Sequence, residues 1–374
     1  MQITKVEIFK ADLPLKRPFR IAIGETTVAG TVFIRIHTDQ SVYGVGEANP
    51  FTPVVGETLE TAYAAAQDLA KLILGTDPLD IEGRVQQMCA FLPRNPTIRS
   101  AFDMALYDIA AKTAKMPLYQ FLSGKKREVT TDNTVGIDDP SVMVSHALEH
   151  KARGFPAVKI KLGTDYETDI ERVKSIRQAL GPDTLIRVDA NQGWDRISAQ
   201  KALVGIEPYD IQYCEQPVRD WDIEGLAMIS RSTTIPIMAD EALFDAHDAV
   251  KLVTHQACKY FNIKLAKSSG ILVALQINAI AEAAGINCMV GCMTETRLGL
   301  TAAAHLVSAR RNIIFADLDG ADMLRDDPVS GGMVYGPKGQ ISLPDVPGIG
   351  AEISQEYLNS LEKIEFSTRH NLRS

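Results

Sequence analysis

VKIKLG (Val158–Gly163), VDAN (Val188–Asn191), EQP (Glu215–Pro217), ADE (Ala239–Glu241) and NIKL (Asn262–Leu265) are the stretches that decide the fold. Each closes a short apolar run on a charged residue, and each run is followed by a helical stretch. The same alternation begins at TTDNTVG (Thr130–Gly136) and continues through NCMVGCM (Asn287–Met293) and IIFADLDG (Ile313–Gly320). One residue near each strand end serves as a marker: Thr134, Lys161, Asp189, Glu215, Asp240, Lys264, Gly291 and Asp317. Successive markers lie 27, 28, 26, 25, 24, 27 and 26 residues apart. A period of this size accommodates a strand, a loop, a helix and a return loop. Eight such strands predict a closed β/α barrel.

The flanking segments read differently. MQITKVEIFKADL and TVFIRIHTDQ alternate as strands, and SVYGVGEANP follows a turn. GETLETAYAAAQDLAKLIL, IEGRVQQMCAFL and SAFDMALYDIAAKTAKM carry apolar residues at three- and four-residue spacing, which predicts helices. Strands followed by helices describe an α+β capping domain over residues 1–125. The barrel occupies 126–320. The last strand is followed by no clear barrel helix, only a Gly- and Pro-rich stretch, so the fold reads as a modified TIM barrel, (β/α)7β. Residues 321–374 form a C-terminal segment expected to return to the capping domain.

Composition narrows the function classes. Hydrophobic residues make up 45% of the 374 and charged residues 23%, enough for a large core. A net charge of −8 with no basic run offers nothing to nucleic acid or to a membrane surface. Five cysteines without a C-x-x-C pair argue against a disulfide framework and against a cysteine-built zinc site. No apolar run approaches the ~18 residues of a membrane span, and no leader pattern is evident. A cytoplasmic location is the resulting expectation; a homo-oligomer is left open.

The chemistry lies at the strand ends. Residues i and i+2 of a strand share a side, so Lys159 with Lys161, Asp189 with Asn191 and Asp317 with Asp319 point the same way. A barrel interior is ordinarily apolar, and buried charges are costly unless paired or bound to metal. Asp189, Glu215 and Asp240 on consecutive strands offer three hard oxygen ligands, which suit Mg2+ better than zinc. Lys161 precedes the middle carboxylate by two strands and Lys264 follows it by two, so the two ammonium groups face each other across the barrel mouth. A lysine acts as a base only when its pKa is pulled down, and a cation nearby does this. Lys159 would tune the bases by repulsion or act as a counter-charge to the carboxylates. Glu241 would tune them by a hydrogen bond, or would merely form an ion pair.

These motifs, in this order and spacing, resemble the enolase superfamily and its muconate lactonising subgroup, over essentially the whole chain. The resemblance implies that Asp189, Glu215 and Asp240 bind Mg2+ and that Lys161 and Lys264 form an acid/base pair. The implied reaction removes a proton α to a carboxylate and gives an enediolate held on the metal. Asp317-Leu318-Asp319 is similar to the D-x-D motif of dipeptide epimerases, where two carboxylates receive a free α-ammonium; a dipeptide is the implied substrate. Thr134, Lys159, Cys292, Asp317 and Asp319 are the substrate-facing set, with Met293 beside them and with Asn191 and Glu241 behind the metal ligands. Cys292 has no His partner on these strands and reads as a packing or backbone contact.

Two loops are the expected lids, Arg17–Glu25 and Glu47–Pro53, with Phe19, Arg20, Ile21, Gly24 and Phe51 closest to specificity. Ala-Glu epimerases carry an arginine in the first loop at the place where this chain has Gly24. A neutral or apolar C-terminal substrate residue is therefore expected, unless Arg20 supplies the missing cation. Alternatives remain. Within the subgroup they are o-succinylbenzoate synthase, N-acylamino acid racemase and muconate cycloisomerase, whose substrates lack a free ammonium. Outside it they are a Schiff-base aldolase on one of the lysines or a non-catalytic metal-binding scaffold.

Overall fold

The computed structural model describes residues 1–368. Its N-terminal part is an antiparallel sheet in the order Glu362–Ser367, Ile3–Ile21, Gly24–Thr38, Tyr43–Ala48. The predicted alternation sets Val6 and Ile8 of one strand and Val32, Ile34 and Ile36 of the next into one core. Helices Leu59–Ile73, Ile81–Phe91 and Pro96–Thr113 cover that face. Gly44 and Gly46 explain how closely the third helix approaches: a Cβ on either would lie 2.0 or 1.9 Å from the carbonyl oxygens of Ala105 and Ala101. This helix is buried on both sides. Ile98, Phe102 and Leu106 face the sheet core, while Met104, Tyr107 and Ala111 join the barrel core.

The eight expected barrel strands form one parallel sheet: Asn133–Val135, Ala157–Lys161, Leu185–Asp189, Ile211–Glu215, Ile237–Ala239, Tyr260–Ile263, Asn287–Val290 and Ile313–Ala316. A parallel bridge between Thr131 and Ala316 links its two end strands. Five of the seven intervening helices start on side-chain caps, at Asp165, Asp195, Asp222, Asp245 and Thr296, whose oxygens satisfy first-turn N–H groups. The eighth strand is followed directly by a short helix, Gly320–Met323, and a second short one, Gln355–Ser360, comes later. The chain then forms small strand pairs, and Glu362–Ser367 adds to the N-terminal sheet beside Lys5–Lys10. No described helix is long and apolar enough to cross a membrane.

One expectation about the lids changes. Arg17–Glu25 is not a loop: Phe19, Arg20 and Ile21 pair with Thr26, Glu25 and Gly24, making a β-hairpin tip with a register shift between Pro14 and Phe19. Backbone pairing continues past the proline because the shift absorbs it. The second lid ends in a single helical turn, Thr52–Val55.

Both lids stand over the barrel mouth because the cap is bolted to it by buried polar groups. Glu47 accepts from Thr296 N at 2.8 Å, Thr296 Oγ1 at 2.7 Å and Gly299 N at 2.8 Å, at the start of helix Arg297–Ala309. Asn49 Oδ1 accepts from Thr294 N at 3.1 Å and Thr294 Oγ1 at 2.8 Å. Asp103 accepts from Ile271 N at the start of helix Ile271–Ala283. Helix N-termini carry unpaired donors and partial positive charge, so carboxylates from a neighbouring domain fit there.

Candidate active site

The strand register sets the site. Lys161, Asp189 and Glu215 stand side by side in adjacent strands, and Asp240 follows Met238, the register partner of Glu215, by two residues. The three carboxylates are fully buried, and one oxygen from each lies within 4.8 Å of the others. Neither Glu215 Oε2 nor Asp240 Oδ1 has a hydrogen-bond partner. Each instead lies against an ammonium, Glu215 Oε2 at 2.8 Å from Lys159 and Asp240 Oδ1 at 2.6 Å from Lys267. Oxygen-only donors, burial and spare lone pairs fit a hard divalent cation.

Lys161 Nζ is 2.6 Å from Asp189 Oδ2, and Lys264 Nζ is 2.8 Å from Asp240 Oδ2. Both lysines and Asn191 line a cavity at the barrel mouth. Burial opposes the charge on Lys264, but Asp240 and Glu215 outweigh it and hold its pKa above the ordinary lysine range. Burial and the neighbouring Asp189 push Glu215 up to about 7. Asp189 lies below its ordinary value: burial works against its charge, and Lys161 and Lys159 overcome it.

The same cavity is lined by Asp317 and Asp319, with Cys292, Met293, Thr134 and Met323. Lys159 Nζ donates to Asp317 Oδ2 at 2.7 Å, leaving Asp317 Oδ1 without a partner. Thr134 N donates to Asp319 Oδ2 at 2.7 Å. Burial is opposed at Asp317 by Lys159 and Lys161, which hold its carboxyl down at about 2, whereas burial and Asp317 raise Asp319 to about 7.

Some expectations need correction. Lys159 is not part of the cavity wall: it is 1% exposed and sits beneath it, 3.2 Å from Asp189, 2.8 Å from Glu215 and 2.7 Å from Asp317. Its place is that of a counter-charge, because an ammonium buried among three carboxylates compensates them. Arg20 does not supply a cation either. Its side chain turns outward, is bound to Glu25 at 2.7 Å, and lies outside the lining. Phe19, Ile21 and Phe51 do line the cavity, together with Thr26 and Val54. Gly24 is not in the lining; it packs against Pro53, where an added Cβ would sit 3.2 Å from Cγ. Asn191, expected behind the metal ligands, is itself in the cavity lining; its N donates to Asp189 Oδ1 at 2.9 Å and its Nδ2 to Glu241 Oε1 at 3.0 Å.

Three residues escaped the sequence reading. Asn262 Nδ2 donates to Glu215 Oε1 at 2.6 Å, Lys267 is fully buried against Asp240, and Arg187 Nη1 donates to Asp132 Oδ2 at 2.8 Å. Asn262 and Arg187 stand two residues before Lys264 and Asp189, so the same i, i+2 rule that paired Lys159 with Lys161 would have found both.

The chain has clear relatives among known proteins. Residues 3–123 match the family model of the mandelate racemase / muconate lactonizing enzyme N-terminal domain, and residues 142–357 match the enolase C-terminal domain-like model. The chain is 45% identical over 365 residues to the D-Ala-D/L-Ala epimerase of Cytophaga hutchinsonii, covering 97% of this chain and 99% of that protein. It is 42% identical over 351 residues to the hydrophobic dipeptide epimerase of Enterococcus faecalis, covering 94% and 99% respectively. The solved structure of the Cytophaga hutchinsonii dipeptide epimerase, complexed with Mg and D-Ala-L-Val, superimposes with a TM-score of 0.97 at 44% identity, over 98% of this chain and all of that one. The chain therefore belongs to the mandelate racemase/muconate lactonizing enzyme family of the enolase superfamily, and is an isomerase of the epimerase and racemase kind.

Proposed function

We propose that this protein is a Mg2+-dependent dipeptide epimerase that inverts the α-carbon of the C-terminal residue of L-Ala-Xaa dipeptides with neutral or hydrophobic Xaa. The observation that carries the reading is what one cavity brings together: two lysines beside three buried carboxylates, and two aspartates, of which Asp317 keeps an oxygen without a partner. A dipeptide has the matching ends, a carboxylate and an ammonium.

Asp189, Glu215 and Asp240 would hold the metal, which when bound supplies Lewis-acid stabilisation of charge developing on the substrate carboxylate. Lys161 and Lys264 would act from opposite sides of the α-carbon. One Nζ, in its neutral form, takes the proton; the other, as ammonium, delivers one to the opposite face. In the described structure both ammonium groups are bonded to carboxylates that would bind metal. Sharing that negative charge with a divalent cation lowers the lysine pKa toward the range a base requires. Asp317 Oδ1 and Asp319 would receive the ammonium, with Lys159 and the Thr134 N–H fixing the carboxylates in place.

Around the remaining wall stand Phe19, Ile21, Thr26, Phe51 and Val54, none of them charged. A glutamate side chain of the substrate would be desolvated there without a cation, since Arg20 is held outside by Glu25. This supports the apolar preference. The test is incubation of an L-Ala-L-Xaa panel in D2O with Mg2+, read by deuterium uptake at the C-terminal α-carbon. Uptake with L-Ala-L-Leu or L-Ala-L-Phe ahead of L-Ala-L-Glu is expected. Exchange confined to N-acylamino acids, or absent from every dipeptide, overturns the reading.

A further inference from the structure

Cys292 plays no part in proton transfer, yet its Sγ lies 3.8 Å from Asp319 Oδ1 and lines the same cavity. Sγ of Cys292 and one oxygen each of Asp317 and Asp319 all lie within 4.8 Å of one another. Asp317 Oδ2 is taken by Lys159 and Asp319 Oδ2 by the Thr134 N–H, while Asp317, a lining residue 4% exposed, has no partner for Oδ1. Three donor residues thus stand together in the cavity wall, and one of them, Asp317, carries a buried carboxylate oxygen without a partner.

We infer that Cys292, Asp317 and Asp319 form a second cation site, selective for a borderline divalent ion of the Zn2+ or Cd2+ kind, beside the oxygen-only site of Asp189, Glu215 and Asp240. Softness separates the two. A thiolate raises affinity for Zn2+ and offers Mg2+ little, whereas three carboxylates suit Mg2+. A tetrahedral zinc with bonds of about 2.0–2.3 Å places its ligand atoms about 3.3–3.6 Å apart. The Sγ–Oδ1 distance of 3.8 Å needs only a small contraction to meet that. Water supplies the fourth ligand. Binding converts the thiol to thiolate and releases one proton to solvent, with no change of oxidation state. The ion occupies the position a substrate ammonium would take, so it excludes any substrate that needs that position.

Metal binding is the readout, so the outcome does not depend on the dipeptide reading. Full-length protein saturated with Mg2+ is titrated with Zn2+ against a chromophoric chelator, and with Cd2+ while the ultraviolet thiolate-to-metal absorption is followed. One Zn2+ per chain is expected beyond the Mg2+ site, with a Cd–thiolate band that excess Mg2+ does not remove. Cys292→Ser is expected to abolish the band and weaken Zn2+ binding at least tenfold. Asp319→Asn, which keeps the thiol, is expected to weaken it by a similar factor. A band that survives in Cys292→Ser, binding that saturating Mg2+ abolishes, or affinity indifferent to Asp319→Asn each overturns the inference.

Discussion

Replacing Asp319 by Asn tests the ammonium clamp with little collateral damage. The amide keeps an oxygen to accept from Thr134 N, the bond now 2.7 Å long, so the strand end stays anchored. What disappears is a charge facing the cavity. Asp317 is the worse target: Lys159 Nζ sits 2.7 Å from its Oδ2, and neutralising it would also strip a fully buried ammonium of a partner. A hydrogen bond to a charged group contributes about 1.5–3 kcal/mol, so losing one costs about 2 kcal/mol, or roughly 30-fold in kcat/KM. The loss should fall on substrates with a free α-ammonium and spare those without one. The assay compares kcat/KM for L-Ala-L-Leu and N-acetyl-L-Ala-L-Leu in wild type and Asp319→Asn, by polarimetry or by deuterium exchange. The wild type should strongly prefer the free amine, and the variant should lose most of that preference. Equal losses for the two substrates, or no wild-type preference, would refute the clamp.

Lys161→Ala and Lys264→Ala should each lower epimerisation by about 10²–10⁴-fold, the usual worth of a positioned acid or base, while circular dichroism shows the fold retained. Retained epimerisation in either variant would dismiss the two-base scheme. Arg20→Ala should change kcat/KM for L-Ala-L-Leu by no more than about threefold, because an exposed ion pair contributes under about 1 kcal/mol; a collapse in rate would return Arg20 to the cavity. Glu47→Ala should lower the thermal midpoint by several degrees, since it removes the acceptor of three buried donors, each costing about 1–3 kcal/mol when unpaired. Glu7 is held down at about 2, from an ordinary 4.5, chiefly by its hydrogen bond to His37. A lowered folded pKa contributes stability that is present above pH 4.5 and lost as pH falls toward 2. Glu7→Gln should therefore flatten that acid limb in urea denaturation, and an unchanged limb would count against the assignment.

Much of the barrel was legible because its chemistry breaks the pattern of a barrel core. Lys161, Asp189, Glu215, Asp240 and Lys264 stand where branched apolar side chains are normal, and the strands observed at Ala157–Lys161, Leu185–Asp189 and Tyr260–Ile263 follow the marked runs. Lys159 was harder. Strand periodicity gives the side of the sheet on which a residue lies but not its depth, and two residues down the strand is the difference between cavity wall and a 1% exposed floor. Arg20 failed in a related way, because its direction depends on Glu25 five residues on and on a hairpin where proline and glycine suggested a loop.

Depth also explains why the floor must be charged. Three carboxylates within 4.8 Å cannot all remain ionised in a buried site without compensation. Lys159 and Lys267 supply it from below, Lys161 and Lys264 from the mouth. The mouth lysines line the cavity and the floor lysine Lys159 does not. On the proposed reading, a cation held by the carboxylates would share their charge with the mouth lysines, which line the cavity a substrate would enter. The floor pair would then keep the ligands fixed while the mouth pair changes partners, a division of labour by which identical side chains would serve structure in one layer and proton transfer in the next.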